Sequence, residues 1–137
     1  REAYAKWVPL IGREPRPMTA DYEAAVRNHR FDLLHEGGML VALIETIARP
    51  DHLLVENLAV RPAFQGSGLG RRLMALAEEI AREAGYGEIR LYTNQRFAEN
   101  IALYRRLGFA VTHEEPVAVG VITHMAKRLA QPSSLSA

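Results

Sequence analysis

Two apolar runs, FDLLHE over residues 31–36 and MLVALIETIA over 39–48, flank a bare Gly37-Gly38 pair. Two glycines between apolar runs predict a hairpin closed by a tight two-residue turn. Arg49, Pro50 and Asp51 turn the chain into a third strand, HLLVENLAV, at 52–60. Beyond a glycine-rich loop, Leu69, Leu73, Leu76 and Ile80 recur at helical spacing and predict an amphipathic helix ended by Gly85 or Gly87. EIRLYT at 88–93 reads as a fourth strand. RFAENIALYRRL at 96–107 reads as a helix closed by Gly108, the usual residue for a left-handed cap. FAVTHEE and VAVGVITHMAKRL supply two last strands around Pro116. Upstream, REAYAKWVPLI reads as a helix that Pro9 ends or bends, and GREPRPM as a loop. DYEAAVRNH follows as a helix that Thr19 or Asp21 can cap.

The predicted order is α, α, β, β, β, α, β, α, β, β. A meander of strands entering a βαβ crossover requires a mixed, mostly antiparallel sheet with helices on both faces, an α/β (α+β) fold. The 137 residues, 48% apolar and 24% charged, fit one globular domain, taken as 1–129, with a short tail at 130–137. The absence of Cys excludes disulfides and thiol nucleophiles and fits a cytoplasmic protein. A net charge of +1 gives no electrostatic case for nucleic-acid or membrane attraction, and no apolar run reaches the ~20 residues of a membrane span. The chain opens without Met and without a helix cap, as if cut into an existing helix.

The loop between the third strand and its helix holds the first chemistry. Gly66, Gly68 and Gly70 alternate, and Arg71 and Arg72 stand where the helix dipole would favour Asp or Glu. Successive N–H groups of a glycine turn at a helix N-terminus cradle anions, and a bound phosphate would reverse the sign of that clash. Arg61 could add to the same positive corner. A purely conformational role for the glycines, in a tight strand-to-helix turn, is the plain alternative. A Walker loop ends in Gly-Lys-Ser/Thr, where Arg71 and Arg72 stand here, and a dinucleotide fingerprint has different glycine spacing.

Gln65, Gly68 and Gly70 form Gln-x-x-Gly-x-Gly after a strand ending LAV-x-Pro, and this resembles the acyl-CoA pyrophosphate loop of the GNAT superfamily of acetyltransferases. NIALYRRLGF resembles that superfamily's LY-x-x-x-GF signature on its last helix, in the expected order. The resemblance implies acetyl-CoA as co-substrate and transfer of its acetyl group to a primary amine of a small molecule or peptide. Gln65, Gly66, Ser67, Gly68, Leu69, Gly70 and Arg71 would then hold the pyrophosphate. Backbone groups of Leu58, Ala59 and Val60 would hold the thioester and pantetheine. Many members carry an Asn at the position of Phe97; Asn94 and Asn100 flank it as candidates for the pantetheine arm. The superfamily's opening strand is missing, so the edge beside FDLLHE is expected to be unpaired or filled by another chain.

An amine with a pKa around 10 must lose a proton before it attacks, and the departing thiolate gains from a proton donor. HLLVENLAV is an apolar strand broken by Glu56 and Asn57, which regular alternation sends to opposite faces, with Leu54, Glu56, Leu58 and Val60 together. Glu56 is the candidate base, directly or through water, with His52 next; a paired structural carboxylate is the alternative. Tyr104 is implied by the signature as the acid that meets the sulfur, against a role as part of a Phe97, Ile101, Tyr104 core stripe. Tyr4, Trp7, His52 and His124 are candidates for the acceptor pocket. The scattered histidines argue against a metal site. A protein N-terminal or lysine acetyltransferase and a non-catalytic acyl-CoA-binding module are the competing functions, and a homodimer is left open.

Overall fold

The computed structural model describes residues 8–9 and 29–130. Its elements are β1 (Val8–Pro9), β2 (His29–Glu36), β3 (Met39–Ala48), β4 (Leu53–Val60), a short 3-10 turn (Pro62–Phe64), α1 (Leu69–Glu83), β5 (Glu88–Asn94), α2 (Ala98–Arg106), β6 (Ala110–Val117) and β7 (Gly120–Arg128). The main sheet runs β2-β3-β4-β5-β7-β6, and β1 pairs with β4 off this path. Among these pairings only β4–β5 is parallel, and α1 carries the chain across between the two strands. The sheet is therefore mixed and mostly antiparallel, as the patterning predicts. No strand lies outside β2 among the described residues.

The Gly37-Gly38 turn has φ of +59° and +81°, the double positive pair that a two-residue hairpin of this hand requires. Core side chains from Ala42 and Ile44 (β3), Leu53, Val55, Leu58 and Val60 (β4), Ile89 and Leu91 (β5) and Met125 (β7) join one cluster with Leu73, Met74, Ala77 and Ala81 of α1 and Tyr104 of α2. This defines the core face of the sheet. Val41, Glu45 and Ile47, which alternate with the core residues of β3, are buried on the opposite face.

Four expectations are corrected. Val8 and Pro9, read as helical, form a strand paired with Val60 and Ala59: a proline that cannot continue a helix can still sit in an extended edge segment. The rest of that first helix, the second helix (21–29) as far as residue 28, and the tail from 131 lie outside the described residues, while His29 already belongs to β2. On α1 the buried stripe is Leu73, Met74, Ala77 and Ala81, and Leu76 is 37% exposed. Small alanines let the helix sit close to the sheet and rotate Leu76 outward. Pro116 lies within β6 rather than between strands, opposite Val121, and the turn falls at Ala118-Val119. An edge strand tolerates proline because the missing N–H faces away from the ladder.

The fourth correction concerns β4. Its register with β3 passes from Glu45↔Asn57 to Thr46↔Val55, which leaves Glu56 as an inserted residue, a β-bulge. Leu53 and Val55 point into the core before it, and Leu58 and Val60 after it. Glu56 and Asn57 therefore share the opposite face instead of splitting between the two.

Candidate active site

β4 and β5 pair only at Leu53↔Ile89 and Leu54↔Arg90. Beyond that point β5 stays with β7 as far as Asn94, and β4 stays with β3 as far as Val60. The two strands part, leaving an opening in the middle of the sheet bordered by the free edge of β4. β3 already pairs with Val60 and Ala59, so β1, pairing with the same residues, occupies that free edge at its far end.

The glycine loop stands at the end of β4. Gly66 and Gly68 have φ of +83° and +87°, and a Cβ at either would meet nothing within 4 Å. Gly68 is the N-cap of α1, with no side-chain cap and no acidic residue in the first turn. Arg72 N–H donates to the Gly68 carbonyl at 3.0 Å, so the N–H groups of Leu69, Gly70 and Arg71 precede the first intrahelical bond. A cavity of about 450 Å³ lies elsewhere, as described below; the one at this loop, about 320 Å³, is lined by Gln65, Gly66, Gly68, Leu69, Gly70 and Arg71 with Val60, Phe64 and Leu103. Open space beside glycine amides, a positive helix end and an arginine fit a diphosphate. Two loop residues serve the loop itself. The Ser67 hydroxyl donates to the Phe64 carbonyl, and Arg61 Nε donates to the Leu40 carbonyl at 2.6 Å, so Arg61 is anchored on β3.

On the opposite face, the bulge sets Glu56, only 6% exposed, beside β5, where Tyr92 Oη donates to its Oε1 at 3.4 Å. Asn57 Nδ2 donates to Glu45 Oε1 at 2.7 Å, and Glu45 Oε2 meets His29 Nδ1 at 2.5 Å. The larger cavity, about 450 Å³, is lined by His52, Leu54, Tyr92 and His124 among others, so the structure brings both candidate histidines to one cleft with Tyr92. His124 stacks on His113 with ring centroids 4.2 Å apart, and its Nε2 lies 2.8 Å from Glu115 Oε1. His52 Nδ1 bonds Asp51 Oδ1 at 2.7 Å. That bond, the largest influence, outweighs the opposing desolvation and, with a lesser contribution from the charge of Arg90, holds the exposed Asp51 carboxyl below its ordinary range.

Tyr104 is fully buried, its ring edge-on to Phe109 at 5.9 Å, and its neighbour Leu103 lines the loop cavity. Asn94 Oδ1 accepts from Arg96 N–H at 3.0 Å, a local turn bond that gives this asparagine a structural use. Asn100 is half-buried at the start of α2. Tyr4 and Trp7 lie outside the described residues. Among the described residues no group of three His, Asp or Glu could hold a metal ion, and no helix is long and apolar enough to cross a membrane. Sequence reasoning missed Glu45, His29 and Tyr92. Glu45 carried a usable signal, a lone carboxylate inside VALIETIA, the same break in an apolar strand that marks Glu56.

The sheet is thus opened between two parallel strands, with a glycine-lined cavity at the start of the helix that joins them. The chain belongs to the GNAT acetyltransferase family, whose model matches residues 2–109. It is 39% identical over 69 residues to a streptothricin acetyltransferase of Streptomyces lavendulae, covering 50% of this chain and 36% of that one. It is 35% identical over 105 residues to N-alpha-acetyltransferase RimI of Mycobacterium tuberculosis, covering 73% of this chain and 65% of that one. The fold matches the ribosomal-protein-S18-alanine N-acetyltransferase of Escherichia coli with a TM-score of 0.72 at 24% identity, over 88% of this chain and 83% of that one. The chain spans about a third to two thirds of the length of these two curated relatives.

Proposed function

We propose that this protein transfers the acetyl group of acetyl-CoA to a primary amine by direct attack with both substrates bound. The observation that carries this reading is the parting of β4 from β5, with the glycine cradle at one end of the opening and Glu56 beside it. Acetyl-CoA supplies the thioester carbonyl. The N–H groups of Leu69, Gly70 and Arg71 hold the diphosphate, and the edge amides of β4 around Leu58 donate to the carbonyl oxygen as charge develops there. Glu56 accepts the amine proton, directly or through one water; its burial next to the Tyr92 hydroxyl gives it a defined position from which to do so. Tyr104 donates its phenolic proton to the departing sulfur.

The cleft with His52 and His124 lies on the Glu56 face and is the entry for the acceptor. Of the two curated relatives above, RimI, an N-alpha-acetyltransferase, matches more of the chain, and this favours a peptide α-amine within the amine class. The test is release of free CoA thiol from acetyl-CoA against a panel of peptides with free N-termini and small-molecule amines. Acceptor-dependent thiol release supports the reading. Tight acetyl-CoA binding with no release on any amine would instead indicate a non-catalytic acyl-CoA-binding module.

A further inference from the structure

We propose that Glu45 and Asn57 form a latch that fixes the β4 bulge and thereby sets where Glu56 stands along the ladder, making both positioning residues for the base. The proposal rests on the reading of Glu56 as the base.

Without the bulge, strict alternation back from Leu58 and Val60, both in the core, would carry Glu56 into the apolar layer beneath α1. One inserted residue instead leaves Glu56 and Asn57 together on the opposite face, facing the single residue Glu45 across the ladder. A bulge gives up local ladder bonds, so something must favour it over the regular register. The Asn57 amide supplies that: Nδ2 donates to Glu45 Oε1 at 2.7 Å, tying the second bulge residue to the strand it faces. Glu45 is 1% exposed, and a carboxylate so buried costs several kcal/mol unless hydrogen-bonded. Two regular registers compete with the bulge. One keeps Leu58 and Val60 in the core and is disfavoured because it buries Glu56 in hydrocarbon. The other keeps Leu53 and Val55 there, sends Asn57 into the core, breaks its bond to Glu45 and sets the Glu56 carboxylate opposite Glu45. The latch works against this second register. His29 Nδ1, 2.5 Å from Glu45 Oε2, braces the other oxygen from β2. The latch thus spans three strands, each contributing one side chain on the same face.

The test inverts the latch. Asn57→Asp sets two carboxylates against each other in the same volume and releases the bulge. Adding Glu45→Gln restores a bond of opposite polarity, with the new amide donating to the new carboxylate and its oxygen left toward His29. Asn57→Asp is expected to lower kcat at least 50-fold with KM for acetyl-CoA within threefold, and to speed amide exchange in the 53–60 segment at least tenfold while α1 stays protected. The double variant should recover most of both. Wild-type kcat in Asn57→Asp, or a double variant no better than the single one, overturns the positioning role. Unaltered exchange in the 53–60 segment overturns the latch itself, whether or not the wild-type protein acetylates any amine, so it is separate from failure of the proposed reaction. Should the single variant not fold, the double variant decides alone: folded and active supports the latch, folded and inactive, or unfolded, overturns it.

Discussion

The Tyr92 hydroxyl donates to Glu56 Oε1 at 3.4 Å across the gap where β4 and β5 no longer pair. The bond crosses between two strands whose backbones have already separated, so it marks where the opening begins. It also gives a buried carboxylate a partner that carries no charge.

Glu56→Gln keeps the side-chain volume and an acceptor oxygen for Tyr92 but removes the base. The expected outcome is a kcat lowered 10²-fold or more near neutral pH, partly restored towards pH 10 as free amine becomes abundant. A pH–rate profile of both forms with the best acceptor checks this. A variant profile parallel to wild type across that range would move the base to another residue, with His52 next in line.

Tyr104→Phe removes one oxygen from a fully buried side chain and leaves the edge-on contact with Phe109 in place. Stability should fall by about 1 kcal/mol or less, the usual scale for one hydroxyl's hydrogen bonding. Turnover should fall by roughly 10²–10⁴, the range for a lost acid or base, with acetyl-CoA affinity nearly retained. Denaturant melts and kcat measured on the same preparation separate the two effects; full turnover would reduce Tyr104 to a packing residue.

Gly70 lies inside α1, where no positive φ calls for glycine. Alanine there should favour the helix by up to ~1 kcal/mol. Gly70 lines the loop cavity, so a methyl group added there is expected to crowd the diphosphate and weaken CoA binding at least tenfold. Calorimetric titration beside a thermal melt reads both numbers. Gly68 is a poorer probe because its φ of +87° strains any L side chain whatever the ligand. A more stable Gly70→Ala protein with undiminished CoA affinity would take the diphosphate away from this turn.

Leu73 and Leu76 test the corrected helix face. Leu73→Ala should cost 2–5 kcal/mol as a core cavity, whereas Leu76→Gln should stay within about 0.5 kcal/mol. Urea melts of the two variants check it, and comparable losses would return Leu76 to the core.

The hairpin, the crossover and both described helices were legible because each rests on local signals: paired glycines, a period of 3.6, and a glycine cap at Gly108 with φ of +102°. The glycine loop was legible for the same reason, since Gln65 to Arg71 are contiguous. The bulge was not. Whether β4 inserts a residue depends on what lies across the ladder, and nothing within HLLVENLAV names Glu45 as that partner. Alternation alone therefore sent Glu56 to the wrong face while identifying it correctly as the break in the strand. Leu76 failed differently: it fits the helical period as well as Ala77 does, and only the distance between helix and sheet chooses between them. Pro116 misled because a proline reads as an interruption until the strand is known to be an edge.

With β4 and β5 joined at two residue pairs, the sheet behaves as two antiparallel leaves, β2 to β4 and β5 to β7, sharing a short seam. Each leaf has a full ladder of its own; the seam has almost none, and resistance to shear between the leaves falls to α1 and the core beneath it. A ligand lying along the opening and bonded to both margins acts as a strut between them. Its binding adds directly to the free energy of unfolding, about 2.7 kcal/mol at a hundred times Kd. The integrity of this sheet would then depend partly on the concentration of a small molecule bound across its two leaves.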